Sequence, residues 1–499
     1  MGETFWELVA RTGAEHPDRV LLADDHGREL TAAGLVAAAE VAAAGLHDLG
    51  VRAGDVVSWQ LPTVLEAPVL IAACARLGVV QNPIIPLLRH REVGLISGQL
   101  GTRLAIVPTA WRGFDFAAMT AELGLETWAT EMEGPVGSEM RLPAGDVAVL
   151  PPPPTDSLEY RWAYYSSGTT ADPKGARHTD ASVIASSNGM VDPVGGLGYA
   201  ADDVYPIAWP FTHIGGITML VTALRGGARL VLFDTWDPVA TPERMAAHRP
   251  TILGSATPFF RAYLDAHARS GGTLFTGIRA CVGGGAPTPQ EISRELAEAF
   301  GVNGVVSSYG LTEFPIATSQ SPQEPGIGTT VGRLVQDVTA RIVDGELRLK
   351  GPQCCLGYVE PALDAVGFDE DGWFRTGDLA SIDDQGLVTI TGRLKDVIIR
   401  NAENISAQEV EEIVLSHPDV LDVGVVGVPD PRTGERVCAC VVLSDGASLD
   451  VAALGAFCTG SGLARMKCPE QVFVVDAIPR NPMGKILKEQ LRTQVRTTT

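Results

Sequence analysis

The chain reads as an α/β protein of more than one domain. Three observations point there. Short β-branched runs alternate with helical stretches through most of the chain, a more β-rich section spans Thr339 to Leu387, and near Gly392 the pattern resets to a smaller α+β unit. At 499 residues a single core is not enough, and two or more are expected.

In chain order, Leu30–Leu49 reads as an alanine-rich helix with Thr31 as N-cap and Gly50 as its stop. Val56–Leu61 reads as a strand, Ala67–Leu77 as a helix ending at Gly78, and Val79–Ile85 as the next strand. Pro151–Pro154 is a stiff spacer, and Tyr160–Tyr165 a strand that leads into a polar loop. Strands follow at Asp203–Ala208, Ala228–Leu232 and Thr251–Gly254, with helices near Gly216–Leu224 and over Pro289–Phe300. In the β-rich section, Asp344-Gly345 and Asp371-Gly372 mark hairpin-like turns. Beyond it, Ser406 and Glu409 form a capping box for a helix over Ser406–Ser416. Strands Val420–Val428 and Glu435–Leu443 and a helix over Val451–Thr459 complete the smaller unit. The boundary is placed close to Lys395, giving domains 1–394 and 395–499.

The charge balance of 38 basic against 60 acidic residues gives −22. Such a surface repels nucleic acid and anionic lipid, so neither is expected as a partner. An anionic nucleotide would need a locally basic pocket. The eight cysteines are scattered, with no Cys-x-x-Cys and no histidine near Cys354-Cys355 or Cys438 and Cys440. Buried free thiols are expected, not zinc. The first residues show no signal-peptide pattern, and the longest apolar runs, such as Ala67–Ala75, are too short to span a bilayer. The expectation is a soluble, cytoplasmic protein.

The most informative segment is Tyr164-Tyr-Ser-Ser-Gly-Thr-Thr-Ala-Asp-Pro-Lys-Gly175. Ser166, Ser167, Thr169 and Thr170 cluster hydroxyls around Gly168, and Lys174 adds a mobile positive charge. Hydroxyls and free backbone N–H groups donate to anionic oxygens, which suits a loop gripping a polyphosphate. It is not a Walker A loop, because Pro173 stands where the second glycine would be and Gly175 where a hydroxyl would follow the lysine. A plain polar turn is the alternative.

Further segments accompany the loop in a fixed order: Gly284-Gly-Ala-Pro287, Tyr309-Gly-Leu-Thr-Glu313, Thr376-Gly-Asp378, Gly392-Arg-Leu-Lys-Asp396 and Gly484-Lys485. Together they resemble the adenylate-forming (ANL) superfamily, which holds AMP-forming acyl-CoA synthetases, standalone adenylation domains and beetle luciferases. The resemblance covers essentially the whole chain. It implies a large N-terminal domain of α/β sheets with a β-barrel-like part, and a small mobile α+β C-terminal lid. It also implies an AMP-forming acid–thiol ligase using ATP, Mg²⁺ and CoA, in which a carboxylate attacks the α-phosphate of ATP and expels pyrophosphate.

The same resemblance assigns residues. Ser166, Ser167, Gly168, Thr169, Thr170 and Lys174 would hold the ATP phosphates, and Thr312 the α-phosphate. Tyr309 and Gly310 would lie on one face of adenine, with Gly285, Ala286 and Pro287 on the other. Glu313 would bind Mg²⁺, Asp378 would accept from the ribose hydroxyls, and Arg393 would reach ribose or phosphate. Lys395 stands at the hinge. Lys485, Glu313 and Thr170 are the candidate catalytic residues, with Lys485 bridging carboxylate and ribose from the lid.

A rotation of the lid between the half-reactions would bring Arg400, Ala402 and Glu403 to CoA. Ala402 and Ala171 replace frequent glycines, which raises the alternative that one half-reaction is slow and a companion enzyme shares the work. The acyl pocket would be lined by His213, Gly215, Gly216 and Gly284, with His213 as a gate or, alternatively, a core histidine. Small walls, together with Phe314 and Pro315, point to a bulky apolar acid, alicyclic or terpenoid. Partners are therefore a small carboxylic acid, ATP and CoA, and the reading also admits a carrier protein as acceptor and a homodimer. The alternative of another class is a non-catalytic binder of a nucleotide or acyl metabolite.

Overall fold

The computed structural model describes residues 2–132, 140–166, 172–285, 288–324, 327–401, 403–481 and 484–498. Of the residues named above, Ser167, Gly168, Thr169, Thr170, Ala171, Ala286, Pro287 and Ala402 lie outside the described residues.

The large part is built on three sheets. One is six-stranded, in the order 174–179, 160–166, 80–83, 56–59, 104–108, 127–130, parallel except for the antiparallel pair at its edge. That pair, Tyr160–Ser166 and Lys174–Thr179, is the hairpin that carries the polar loop. A second sheet runs in the order 204–207, 229–232, 20–24, 29–31, and a third is the parallel trio 252–255, 280–284, 305–308. Helix Glu66–Leu77 is buried along its whole length, which is why its sequence is apolar but for Glu66 and Arg76, each paired with a group outside the helix. It stops at Gly78, in the left-handed conformation at φ 72°.

The β-rich section forms a four-stranded antiparallel sheet in the order 339–343, 346–350, 374–382, 388–393. Asp344 and Gly345 both adopt positive φ, 52° and 82°, as a two-residue hairpin of matching twist requires. A separate apolar cluster including Phe314, Leu347, Leu349, Phe374 and Val388 fills one face.

The C-terminal residues have cores of their own. One joins Ile398, Val410, Val425 and Leu454, and another joins Val426, Cys438, Cys440, Ile478 and Leu491. They pack on strands 403–406, 397–400, 434–443 and 420–430, with 471–474 added parallel to 434–443. Ser406 caps helix Ala407–Leu415 by accepting from Glu409 N. The return half of the capping box is not made, because the Glu409 carboxylate accepts from Lys467 Nζ at 2.7 Å instead. Ser406 Oγ also donates to the Thr391 carbonyl, at 2.7 Å, so this cap touches the strand that leads into the smaller unit.

Helices Phe5–Glu15, His90–Leu100, Thr257–Arg269 and Lys488–Thr498 are not anticipated by the sequence reading. The first has a Thr4–Glu7 capping box that could have revealed it. All eight cysteines are free thiols, and among the described residues no group of three or more His, Cys, Asp or Glu is placed to hold a metal. No helix of the described residues is long and apolar enough to cross a membrane.

Candidate active site

Four basic side chains converge at the junction of the two parts. Lys485, Arg393 and Lys395 act on one another, with Asp378 and Asp396 interspersed, and Lys174 acts on Lys395 from the phosphate-loop hairpin. In a chain of net charge −22 this is a local reversal of sign. It meets the requirement that an anionic nucleotide places on an acidic protein.

Asp378 is the hub. It is 1% exposed, midway along the inner strand Phe374–Ile382, where the register places it opposite Arg393. Arg393 Nε lies 2.8 Å from Asp378 Oδ1, and the Tyr309 hydroxyl donates to Oδ2 at 2.6 Å. Burial first, then the Asp378 charge, holds the Tyr309 phenol far above its ordinary range, so it stays a donor. Tyr309 thus reaches the ribose-site candidate through its hydroxyl. Gly310 is required by close packing, since a Cβ there would sit 2.4 Å from Ile316 N.

Thr312 and Glu313 are fixed from the hairpin side. The wholly buried His178 donates from Nε2 to the Thr312 carbonyl at 2.8 Å, and its Nδ1 lies 3.1 Å from Ser182 Oγ. Burial pushes this imidazole down to about 4, so it is neutral at pH 7. Glu313 is 8% exposed, and the Tyr358 hydroxyl donates to its Oε1 at 2.9 Å. Burial raises the Glu313 carboxyl, opposed by Tyr358 and by the charges of Lys174 and Arg393. A single buried carboxylate beside cationic groups is a hard-oxygen donor suited to Mg²⁺ that arrives on nucleotide phosphates and keeps water in its remaining positions.

Lys485 sits on a hairpin tied by its own neighbours. Asn481 N donates to the Lys485 carbonyl and Asn481 Oδ1 accepts from Lys485 N, both at 2.9 Å. Arg480 donates to the Gly484 carbonyl and to Asp422 Oδ1, each at 2.7 Å. Gly484 (φ 80°) rests against Ala256, 3.4 Å from where its Cβ would stand. Burial, and then repulsion from Arg393 and Lys395, pushes the Lys485 ammonium down to about 7. A lysine that titrates near 10.5 when solvated and near 7 in this position sheds a proton on docking anywhere between those values. Rising pH across that window therefore favours the buried position of Lys485 over a solvated one. Added phosphate charge has the opposite effect on the lysine and restores its proton. ATP binding at pH 8 should then take up a proton, seen as a calorimetric heat that varies with buffer ionisation enthalpy. Lys485→Met should remove that uptake.

The acyl-pocket and CoA candidates fare differently. His213 is the N-cap of helix Ile214–Gly226, with Nδ1 accepting from Gly215 N at 3.1 Å, and burial pushes it down to about 4. The room attributed to the small residues is largely taken. A Cβ on Gly216 would stand 1.9 Å from the Phe211 carbonyl oxygen, and one on Gly215 3.3 Å from the Trp209 ring. A Cβ on Gly283 would meet Val305 at 2.8 Å. Gly284 alone among these has room for a Cβ among the described residues, the nearest described atom being the Ser308 carbonyl oxygen at 3.8 Å. Gly285 has positive φ, 78°, and among the described residues nothing lies within 4 Å of where its Cβ would stand. Arg400 is forked onto Glu470 at 2.7 and 2.8 Å, and Glu403 pairs across from it in the same sheet.

His178, Tyr358 and Arg480 are site residues that the sequence reading does not single out. The arrangement brings together four basic side chains, the buried carboxylates of Asp378 and Glu313 and the Lys485 ammonium carried by the smaller unit, groups that the sequence reading expects of an adenylating ligase.

The comparisons agree. The AMP-binding enzyme family matches residues 9–359, and the AMP-binding enzyme C-terminal domain matches residues 409–485. The medium-chain fatty-acid–CoA ligase of Escherichia coli K12 is 31% identical over 98% of this chain and 90% of its own length. The 3-[(3aS,4S,7aS)-7a-methyl-1,5-dioxo-octahydro-1H-inden-4-yl]propanoyl:CoA ligase of Mycobacterium tuberculosis H37Rv is 31% identical over 95% of this chain and 96% of its own. The crystal structure of ATP-bound MatB from Rhodopseudomonas palustris superposes with a TM-score of 0.86 at 28% identity, covering 98% of this chain and 99% of the other. The chain belongs to the AMP-binding enzyme family of the ANL superfamily and is an AMP-forming acid–thiol ligase of the acyl-CoA synthetase type. Enzymes of this family use ATP, Mg²⁺ and CoA.

Proposed function

We propose that this ligase activates a bulky apolar carboxylic acid as its acyl-adenylate and transfers the acyl group to CoA. The observation that carries the two-step reading is Lys485, brought by a separately cored unit to Arg393 and Asp378. In the first step a carboxylate oxygen bonds to the α-phosphorus of ATP and the bond to the bridging oxygen breaks, releasing pyrophosphate. Lys485 places its ammonium where negative charge builds on the attacking carboxylate. Asp378 receives the ribose hydroxyls, and Tyr309 packs on adenine while donating to Asp378. Lys174, with Ser166, Ser167, Gly168, Thr169 and Thr170, grips the phosphates. Glu313 would hold Mg²⁺, which when bound neutralises phosphate charge. In the second step the CoA sulfur bonds to the acyl carbon, AMP departs, and the thiol proton passes to solvent. We assign Lys395 to the hinge between domains 1–394 and 395–499. Arg400, Ala402 and Glu403 belong to the face presented to CoA, and Arg400 then has to exchange Glu470 for phosphate.

The acid is read from the space beside Gly284 and from the Trp209 ring next to Gly215; Phe314, expected to face the guest, is instead buried in the core of the antiparallel sheet against Phe374. The Mycobacterium relative, named for a fused-ring propanoyl substrate, supports a bulky guest. Full-length similarity to CoA ligases favours CoA as acceptor over a carrier protein, and turnover over a binding role. A panel of alicyclic, aromatic and linear acids scored by AMP release, with and without CoA, tests the reading. The largest CoA-dependent release is expected with a ring-bearing acid, and a preference for short polar acids would overturn that choice.

Two glycine replacements separate pocket from packing. Gly284→Ala should fold as the wild type and move preference toward smaller acids. Gly216→Ala drives a methyl into the Phe211 carbonyl and should cost about 1–3 kcal/mol in urea unfolding. Equal stability of the two variants would contradict this division.

A further inference from the structure

Tyr358 has no part in the two steps proposed above, yet its surroundings are built to aim it. The residue is 7% exposed, and its hydroxyl reaches Glu313 Oε1 at 2.9 Å across 45 residues of sequence. The segment that carries it is laced onto the strand after the phosphate loop. Leu356 N donates to the Arg177 carbonyl, Arg177 N to that of Gly357, and Val359 N to that of Gly175, at 2.7–2.9 Å. Cys355 N donates to the backbone carbonyl of Glu313 itself, at 2.8 Å. Asp364 Oδ1 accepts from Tyr358 N at 2.7 Å. Two glycines make room for this geometry. Gly357 has φ 125°, and a Cβ there would stand 2.8 Å from the Asp364 carboxylate. A Cβ on Gly367 would stand 2.5 Å from the Tyr358 ring.

We propose that Tyr358 is a positioning residue for the metal-binding carboxylate: its hydroxyl holds Glu313 in one orientation and ties it to the strand that begins at Lys174. This rests on the assignment of Glu313 to Mg²⁺. A carboxylate has several lone pairs, so one oxygen can accept from the phenol while the group still faces a cation. Fixing the carboxylate beforehand removes the ordering cost that the cation would otherwise meet. Outer partners of this kind change metal affinity about 10–100-fold when removed. The same tether makes the metal carboxylate and Lys174 move as one body, so the two charges that meet the phosphates keep their spacing.

The test is nucleotide binding without acid or CoA. The fluorescence of mant-ATP on the full-length chain is followed as MgCl₂ is added. Tyr358→Phe should raise the Mg²⁺ concentration for half-maximal binding about tenfold, leaving metal-free binding as in the wild type and lowering the thermal melt only modestly, as the loss of one buried hydrogen bond does. Glu313→Gln should raise it at least as far, and the two together no further than Glu313→Gln alone. A folded Tyr358→Phe protein with the wild-type midpoint, while Glu313→Gln shifts it, overturns the positioning role and spares the Glu313 assignment. An unmoved midpoint in Glu313→Gln overturns both. If Tyr358→Phe does not fold, Glu313→Asp withdraws the carboxylate from the phenol by one methylene, and the same rise is expected, its absence counting against the proposal.

Discussion

Replacing Lys485 with alanine is expected to slow carboxylate-dependent ATP–pyrophosphate exchange by about 10²–10³, while transfer from a synthetic acyl-adenylate to CoA is largely spared. The asymmetry follows from where the lysine is held. Its hairpin is braced by Arg480 and Asn481 and rests on Ala256, so the ammonium is delivered to Arg393 and Asp378 without searching. Once the adenylate exists, the charge that the lysine balances has been neutralised by bond formation. Lys488 is the obvious substitute, but it is committed to Glu411 at 2.9 Å. Equal losses in both half-reactions would mean that Lys485 serves the fold of the small unit, not the first step.

Asp378→Ala is expected to raise KM for ATP at least about tenfold, the worth of a hydrogen bond to a charged group, and to cost about 2 kcal/mol in urea unfolding. The carboxylate is almost wholly buried and holds both Tyr309 and Arg393. Without it the phenol loses its acceptor, and Arg393 faces Lys395 and Lys485 with less opposing charge. Asp378→Asn keeps the shape and an acceptor, so it should recover much of the stability but little of the ATP affinity. A variant with normal KM for ATP would remove Asp378 from the nucleotide site.

Much of this was legible beforehand. Helix Ala32–Asp48 announces its start with Thr31, and the hairpin 339–350 announces its turn with Asp344-Gly345. Alternation of strands and helices was enough for the α/β class, because each pattern is local. The hydroxyl-rich loop stands out because its chemistry is written in consecutive residues, whereas Asp378 and Lys485 are singled out only by the resemblance of their short segments to the ANL superfamily.

What escaped was non-local. His178 matters through a carbonyl 134 residues away and Tyr358 through a carboxylate 45 away. Neither pairing leaves a trace in spacing. The glycines near the acyl pocket misled for a related reason. A missing side chain looks the same in sequence whether it opens a cavity or admits a neighbouring carbonyl, as Phe211 does at Gly216.

The central claim is that the carboxylate of the acid attacks the α-phosphate of ATP. Single-turnover reaction with an acid labelled with ¹⁸O in both carboxylate oxygens, followed by mass spectrometry of the nucleotide, tests it most directly. One labelled oxygen should appear in AMP after transfer to CoA, with none in pyrophosphate. Unlabelled AMP, or ADP and phosphate as the products, would contradict the account.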